Sequence, residues 1–268
     1  MNPKERFSGK VVWITGASSG IGEELAYCFV AEGAKVVISS NEDAELLRVK
    51  EKCGSGADVM ALPLDLTEID TFDAKMKSVL ERFGKVDILI NNGGISHRSE
   101  VKDTSNAVLR KVMDVDFTGH AALTHAVIGS MIEKKSGHIV VTSSLAGLLG
   151  IPTRAVYCAA KHALQGFFES LRAEVWRDGI KVTLICPAGV STKIGYSSLM
   201  GDGGKYGKTD KHIEAGMSPK YVAESIVKAI LEGREEVLLG SFGKKYPVYV
   251  ARCLPSVYSW LLKRVKAL

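Results

Sequence analysis

The stretch Val11-Val12-Trp13-Ile14-Thr15-Gly16-Ala17-Ser18-Ser19-Gly20-Ile21-Gly22 decides the fold class of this chain. Its first five residues are a short β-branched and aromatic run, the pattern of a buried strand. A glycine-rich turn follows at once, and from Ile21 to Glu32 the apolar residues recur at helical spacing. A strand that runs through such a turn into a helix presents unpaired N–H groups and the positive end of the helix dipole, which suits a diphosphate. Gly16 permits the tight turn, Gly20 lets backbone approach the phosphates, and Gly22 allows helix and strand to pack closely. Ser18, Ser19 and Ile21 complete the candidate dinucleotide-binding residues of this GxxxGxG segment.

Outward from this unit the same alternation continues. Strands are expected at Lys35–Ser39, Asp58–Leu62, Val86–Asn91, His138–Thr142, Lys181–Cys186 and Glu236–Leu239. Helices are expected at Glu42–Lys52, Ile69–Phe83, Ser105–Glu133, Val156–Arg177 and Pro219–Glu232. Alternation of this kind predicts an α/β, doubly wound parallel sheet of seven strands in a Rossmann-type single domain, with helices on both faces. Residues 1–240 make up the dinucleotide-binding and catalytic domain in this reading. Residues 241–268 form an amphipathic extension packed on the same domain, a partner or a membrane.

A chain of 268 residues, 46% hydrophobic and 24% charged, has an ordinary globular composition, which excludes intrinsic disorder. Its 35 basic against 30 acidic residues leave a charge of +5, too mild for a dedicated nucleic-acid binder, with much of the surplus near the end in Lys244, Lys245, Arg252, Lys263, Arg264 and Lys266. Five cysteines without a CxxC pair argue against a disulfide framework or a zinc site. Residues 1–10 have no apolar h-region, and no apolar run approaches the roughly 18–20 residues that span a bilayer.

Further candidates cluster at the carboxyl ends of the expected strands, where ligands of such sheets bind. Ser39-Ser40-Asn41 ends the second strand without a charge at its tip. Small hydroxyls accommodate the 2′-phosphate of NADP, provided Glu42 and Asp43 point away, so NADP is favoured and NAD kept as the alternative. Asp65, after the third strand, is a candidate acceptor for the adenine amino group, or else a cap for the segment beginning near Glu68. Asn91-Asn92-Gly93-Gly94 ends the fourth strand, where Asn92 and Gly93 can tie neighbouring strand ends together and line the cleft.

The strongest signal is Ser144 with Tyr157 and Lys161. Tyr157 and Lys161 stand four apart, one turn along the same helix face. A phenol with a reference pKa of about 10 is a poor proton carrier at neutral pH, and a neighbouring ammonium lowers that value. The pair therefore forms a tunable acid/base, and Ser144 can orient a carbonyl and stabilise its developing oxyanion.

Taken together, TGASSGIG, Asp65, NNGG, the Ser144–Tyr157–Lys161 set and Pro187-Ala188-Gly189-Val190-Ser191-Thr192 resemble the short-chain dehydrogenases/reductases from about Lys10 to Leu239. The stretches GASSGIGEELAY, LPLDLT, DILINNGGIS and YCAAKHALQGFF resemble the narrower group of member 7-like proteins, membrane-associated carbonyl and steroid or retinoid reductases. The resemblance implies Tyr157 as acid/base, Ser144 on the carbonyl, and Lys161 on the nicotinamide ribose. It implies Val190 and Thr192 at the carboxamide and Pro187 behind the ring. It also implies reduction of a lipophilic carbonyl with NADPH, and a homodimer or homotetramer paired through the long helices. Asp116 stands where the family usually has Asn, the fourth catalytic position, holding a water that relays protons to the lysine. Asn41 stands where NADP-using relatives often have Arg, and Ala188 where Gly is usual. The alternative is a catalytically weak dinucleotide-binding regulatory or scaffold protein.

Five further segments carry weaker signals. His97 and Arg98 read either as part of the substrate entrance or as surface loop. The Gly-rich segment Ser191–Gly216 is expected to be mobile, with Tyr196, Leu199 and Met200 covering the substrate. His162, next to Lys161, is expected to point elsewhere, and Lys134-Lys135 reads as a solvated helix end. The tail Tyr246–Leu268 mixes aromatics, leucines and basic residues, which suits either a membrane interface or docking on protein. The expected location is cytoplasmic, or peripheral on the cytosolic side of a membrane such as the endoplasmic reticulum.

Overall fold

A computed structural model describes residues 5–208 and 211–264. The alternation in the sequence becomes β1 (Val11–Thr15), α1 (Gly20–Ala31), β2 (Lys35–Ser39), α2 (Asp43–Lys52), β3 (Val59–Ala61), α3 (Phe72–Phe83) and β4 (Ile88–Asn91). It continues through α4 (Asn106–Met113), α5 (Gly119–Glu133), β5 (Gly137–Thr142), α6 (Ala155–Val175) and β6 (Ile180–Pro187). The chain ends with the short α7 (Lys211–Glu214), then α8 (Pro219–Glu232), β7 (Glu236–Leu239), α9 (Phe242–Cys253) and α10 (Pro255–Leu262).

The strands lie in the order β3-β2-β1-β4-β5-β6-β7, all parallel. The doubly wound sheet is thus as the sequence predicts. Period-two alternation divides its core. Val12 and Ile14 of β1 pack with Val36 and Ile38 under α1, α2 and α8. Val11, Trp13 and Val37 pack on the other face under α3, α5 and α6. Each fully buried Leu, Ile or Phe contributes about 1.5–3 kcal/mol. The one polar atom of Trp13 is satisfied, since Nε1–H donates to Ser39 Oγ at 2.9 Å.

Register places the site. Thr15 pairs with Ser39, so the turn after β1 lies beside Ser40. Ile14 pairs with Ile90, so the same turn also lies beside the Asn91–Gly94 segment. Strand order reverses between β1 and β4, the switch point at which such sheets open a crevice.

Local signals fix several boundaries. Ser105 caps α4 by accepting from Val108 N–H, and Ser218 caps α8 by accepting from Tyr221 N–H. Gly233 ends α8 with φ +62°. Two expectations change. Strand β3 is shorter than Asp58–Leu62, holding only Val59–Ala61. The single helix expected over Ser105–Glu133 is two helices joined by a π-helical turn at Asp114–Thr118. The inward stripe Val108, Val112, Asp116, His120, Leu123, Val127 and Met131 runs through both helices and the turn, so spacing alone does not reveal the extra residue.

Candidate active site

The first half of the site is the turn between β1 and α1. Gly16 has φ +64°, and a Cβ there would stand 2.5 Å from Gly93 Cα. Thr15 Oγ1 accepts from the N–H groups of Asn92 and Gly93 at 2.9 and 3.1 Å, and Asn92 Nδ2 donates to Thr15 O at 3.1 Å. The ends of β1 and β4 are therefore stitched together by the Asn92 amide and the Thr15 hydroxyl. At the start of α1, exposed Ser19 is extended and gives no side-chain cap, leaving the first N–H groups without one. A Cβ on Gly20 would meet the Thr192 methyl at 3.1 Å, so Thr192 overhangs the turn. Val190 is buried and bridges to Met217. Ile21 is half-buried against the core.

At the tip of β2, Ser18, Ser40 and Glu42 interlock. Ser18 Oγ donates to Glu42 Oε2 at 2.8 Å, Ser40 Oγ donates to Ser18 Oγ at 3.0 Å, and Glu42 N–H donates to Ser40 Oγ at 3.2 Å. Glu42 thus faces the glycine turn rather than away from it. Arg48 stands at the same corner, with Nη2 donating to Ser18 O at 3.0 Å and Nη1 paired with Glu23 at 2.7 Å. Asn41 is exposed and donates to Asp65 Oδ2 at 3.2 Å. Asp65 Oδ1 caps its own turn, accepting from the N–H and hydroxyl of Thr67 at 2.8 and 2.7 Å. Burial pushes the Asp65 carboxyl up, but these hydrogen bonds outweigh it and hold the group below its ordinary value.

The second half lies at the ends of β5 and β6. Tyr157 and Lys161 project from one face of α6, with Nζ 5.6 Å from the phenol ring centre. Lys161 is buried, donates to Thr142 O at 3.4 Å and stands 3.4 Å from Asp116 Oδ2. Asp116 is carried inward by the π-helical turn, and its Oδ1 accepts from Ile95 N–H at 2.7 Å. Among the described residues Asp116 Oδ2 has no hydrogen bond of good geometry. Ser144 heads a 3₁₀ turn. Its Oγ accepts from Ala146 N–H at 3.1 Å and reaches Pro187 O at 3.4 Å. The structure therefore gathers Ser144, Tyr157, Lys161, Asp116 and Pro187 at one place, with Gly94 packed between Asp116 and Lys161.

Electrostatics here depart from the simple pairing of phenol and ammonium. Burial pushes the Tyr157 phenol up, Lys161 pulls it down, Asp116 pushes it up again and the Ser144 hydroxyl pulls it down. Burial prevails, and the phenol lies above its ordinary value. Burial works against the Lys161 ammonium, but the adjacent carboxylate and phenol hold it raised and charged.

His120 escaped the sequence reading. It is fully buried, one turn after Asp116, and its Nε2–H donates to Gly93 O at 2.7 Å while Nδ1 lies 3.3 Å from Asn91 Oδ1. Burial and then Lys161 push it down to about 3, so it stays neutral. Only its spacing of four from Asp116 hinted at it. Glu42 and Arg48 also join the site at the tip of β2 through Ser18.

The entrance segments differ from expectation. His97 is fully buried against Thr104, and Arg98 is buried with its guanidinium 4.6 Å from the Tyr206 ring centre, so neither is surface loop. Arg98 N–H donates to Leu199 O, Leu199 N–H to Ser96 O, and Ser105 N–H to Gly201 O. These bonds pin the part of Ser191–Gly216 expected to move. Leu199 packs with Val108, Val112 and Val156, while Tyr196 is 51% exposed. Thr209 and Asp210 of that segment lie outside the described residues.

The model of the family described as short chain dehydrogenase matches residues 10–199. The chain belongs to the short-chain dehydrogenase/reductase family. It is 44% identical over 263 residues to the dehydrogenase/reductase SDR family protein 7-like of Anopheles gambiae, covering 96% of this chain and 83% of that one. It is 45% identical over 206 residues to the human dehydrogenase/reductase SDR family member 7, covering 75% of this chain and 61% of that one. Among solved structures of this family, the fold superposes with TM-score 0.83 and 26% identity on a Burkholderia phymatum short-chain dehydrogenase/reductase in complex with NAD, covering 98% of both chains. It superposes with TM-score 0.72 and 26% identity on a metagenomic short-chain oxidoreductase in complex with NADP, covering 87% of this chain and 97% of that one.

Proposed function

We propose that this short-chain dehydrogenase/reductase transfers hydride between a nicotinamide dinucleotide and the carbonyl or secondary alcohol carbon of a small lipophilic substrate. The observation that carries the reading is the convergence of Tyr157, buried Lys161 and Ser144 at the edge of the sheet that also bears the glycine turn. The residues present suit a dinucleotide: the first turn of α1 has no side-chain cap, and glycine at 16 and 20 lets the turn close against Gly93 and Thr192 with no side chain of its own over those N–H groups. Gly16, Ser18, Ser19, Gly20, Ile21 and Gly22 would hold the diphosphate. Asp65 would face the adenine, Asn92 and Gly93 would line the cleft, and Pro187, Val190 and Thr192 would flank the nicotinamide.

The bound dinucleotide supplies or accepts the hydride. In reduction Ser144 turns its hydroxyl from the long contact with Pro187 O to the substrate oxygen, and Tyr157 gives that oxygen its proton. Lys161 stabilises the phenolate left behind, and Asp116 keeps Lys161 charged and fixed in place. The likeness to member 7-like relatives favours an apolar substrate such as a steroid, a retinoid or another ketone or aldehyde. A homodimer or homotetramer paired through α4–α5 and α6 is supported by Phe167, 38% exposed on α6 and stacked edge-on against Phe117.

The corner at Glu42 bears on the choice of dinucleotide. A 2′-hydroxyl fits it as it stands. A 2′-phosphate, the choice suggested by Ser40 and Asn41, requires Glu42 to leave Ser18 and Arg48 to turn from Glu23. Oxidation of NADH and NADPH against a panel of lipophilic ketones and aldehydes tests both points. Turnover is expected, and Glu42→Gln is expected to raise the NADPH to NADH ratio of kcat/KM by about tenfold, the loss of one like-charge contact. Absence of turnover with every carbonyl, despite tight dinucleotide binding, would instead support the regulatory or scaffold reading.

A further inference from the structure

The last two helices present apolar surface that the fold leaves uncovered. On α9, Phe242, Tyr246 and Tyr249 recur at intervals of four and three, one stripe of the helix, and they are 74%, 53% and 55% exposed. Val248 and Val250 of the same helix are buried. On α10, Tyr258 turns inward and donates its hydroxyl to Gly150 O at 2.8 Å. Val257, Trp260 and Leu261 of the same helix are exposed. A row of exposed aromatic and aliphatic side chains of this size marks an interaction surface.

Charge identifies what that surface meets. Every charged residue from Ser241 to Arg264 is basic: Lys244, Lys245, Arg252, Lys263 and Arg264. Arg264 stacks its guanidinium 3.8 Å from the Trp260 ring centre. Aromatics at headgroup depth, flanked by cations that reach phosphate, are the composition of an interfacial helix. A second copy of this chain would bring the same patch against itself about a two-fold axis, setting cations against cations. Among the described residues no helix is long and apolar enough to cross a membrane.

We propose that α9 and α10 form a docking face for an anionic phospholipid surface. The face sits next to the catalytic cleft. Val248, Ala251 and Tyr258 pack on Leu145, Leu148 and Leu149, the segment that directly follows Ser144. A lipophilic carbonyl dissolved in the bilayer would therefore reach the cleft across this segment. That last step rests on the oxidoreductase reading, whereas the docking itself does not.

The test is flotation of the full chain with phosphatidylcholine vesicles, with and without phosphatidylserine, in the absence of dinucleotide. The chain is expected to float with the serine lipid and to be released by high salt. Each cation near an anionic surface strengthens attachment about fivefold, so Lys244→Glu with Arg252→Glu is expected to weaken it about twentyfold or more. Tyr249→Ser with Trp260→Ser is expected to abolish it while thermal melting stays as in the parent, showing an intact fold. Failure to float with either vesicle, or flotation unaffected by both double variants, overturns the proposal. So does a dimer that Tyr249→Ser with Trp260→Ser disperses in sedimentation, because a second copy would then own the face. None of these readouts needs turnover, so they separate this proposal from the catalytic one.

Discussion

At the glycine-turn end of the cleft, a Cβ on Gly22 would overlap the carbonyl oxygen of Gly16, and Asn92 and Thr15 hold the strand ends through neutral hydrogen bonds. At the other end, Lys161 and Asp116 face each other at 3.4 Å, both buried, beside a phenol. One end is fixed by volume and backbone, the other by charge. The close packing of Gly22 on Gly16 should therefore respond to added atoms rather than to charge. The charged end should tolerate shape and respond to any change of charge.

The largest effect expected is at the charged end. Lys161→Met leaves Asp116 buried without its partner, a loss of about 3–5 kcal/mol in denaturant unfolding. Pairing it with Asp116→Leu removes the stranded charge, so stability should largely return while turnover does not. If the single variant is as stable as the parent, the two groups do not form an ion pair in the folded chain.

Next comes the turn. Gly22→Ala forces helix α1 off the strand end and should cost about 1–3 kcal/mol, by the same amount at acid and at neutral pH. A pH-dependent cost would mean that the turn is not held by packing alone.

The smallest effect, and the sharpest contrast, is Asp116→Asn. The carboxylate raises the Tyr157 phenol, so replacing it with an amide lowers that pKa. Reduction needs the phenol protonated and fails as pH rises through its pKa. The basic limb of kcat/KM against pH should therefore move to lower pH. A limb that stays in place would show that Asp116 does not act on the phenol.

The two ends also differ in how far the sequence discloses them. The glycine turn, Asn92 and the seven strands are legible because backbone geometry demands glycine and a parallel sheet demands short apolar runs. Ser144, Tyr157 and Lys161 are legible because four-residue spacing fixes a helix face. The π-helical turn is not, because Val112, Asp116 and His120 keep a stripe that an unbroken helix would also show. The inward turn of Glu42 depends on a hydroxyl from a distant strand end, Ser18, which spacing does not encode. Pinning of the segment around Leu199 is likewise long-range, made by backbone bonds to Ser96 and Arg98 that carry no side-chain signature.

The central claim is that the Tyr157 phenol delivers the proton in a cleft assembled independently of it. Tyr157→Phe removes one hydroxyl and keeps the ring, so dinucleotide binding followed by fluorescence should match the parent. Turnover of any accepted carbonyl should fall by about a hundredfold to ten-thousandfold, the range supplied by a positioned general acid. Turnover retained by Tyr157→Phe, with binding intact, would contradict the account.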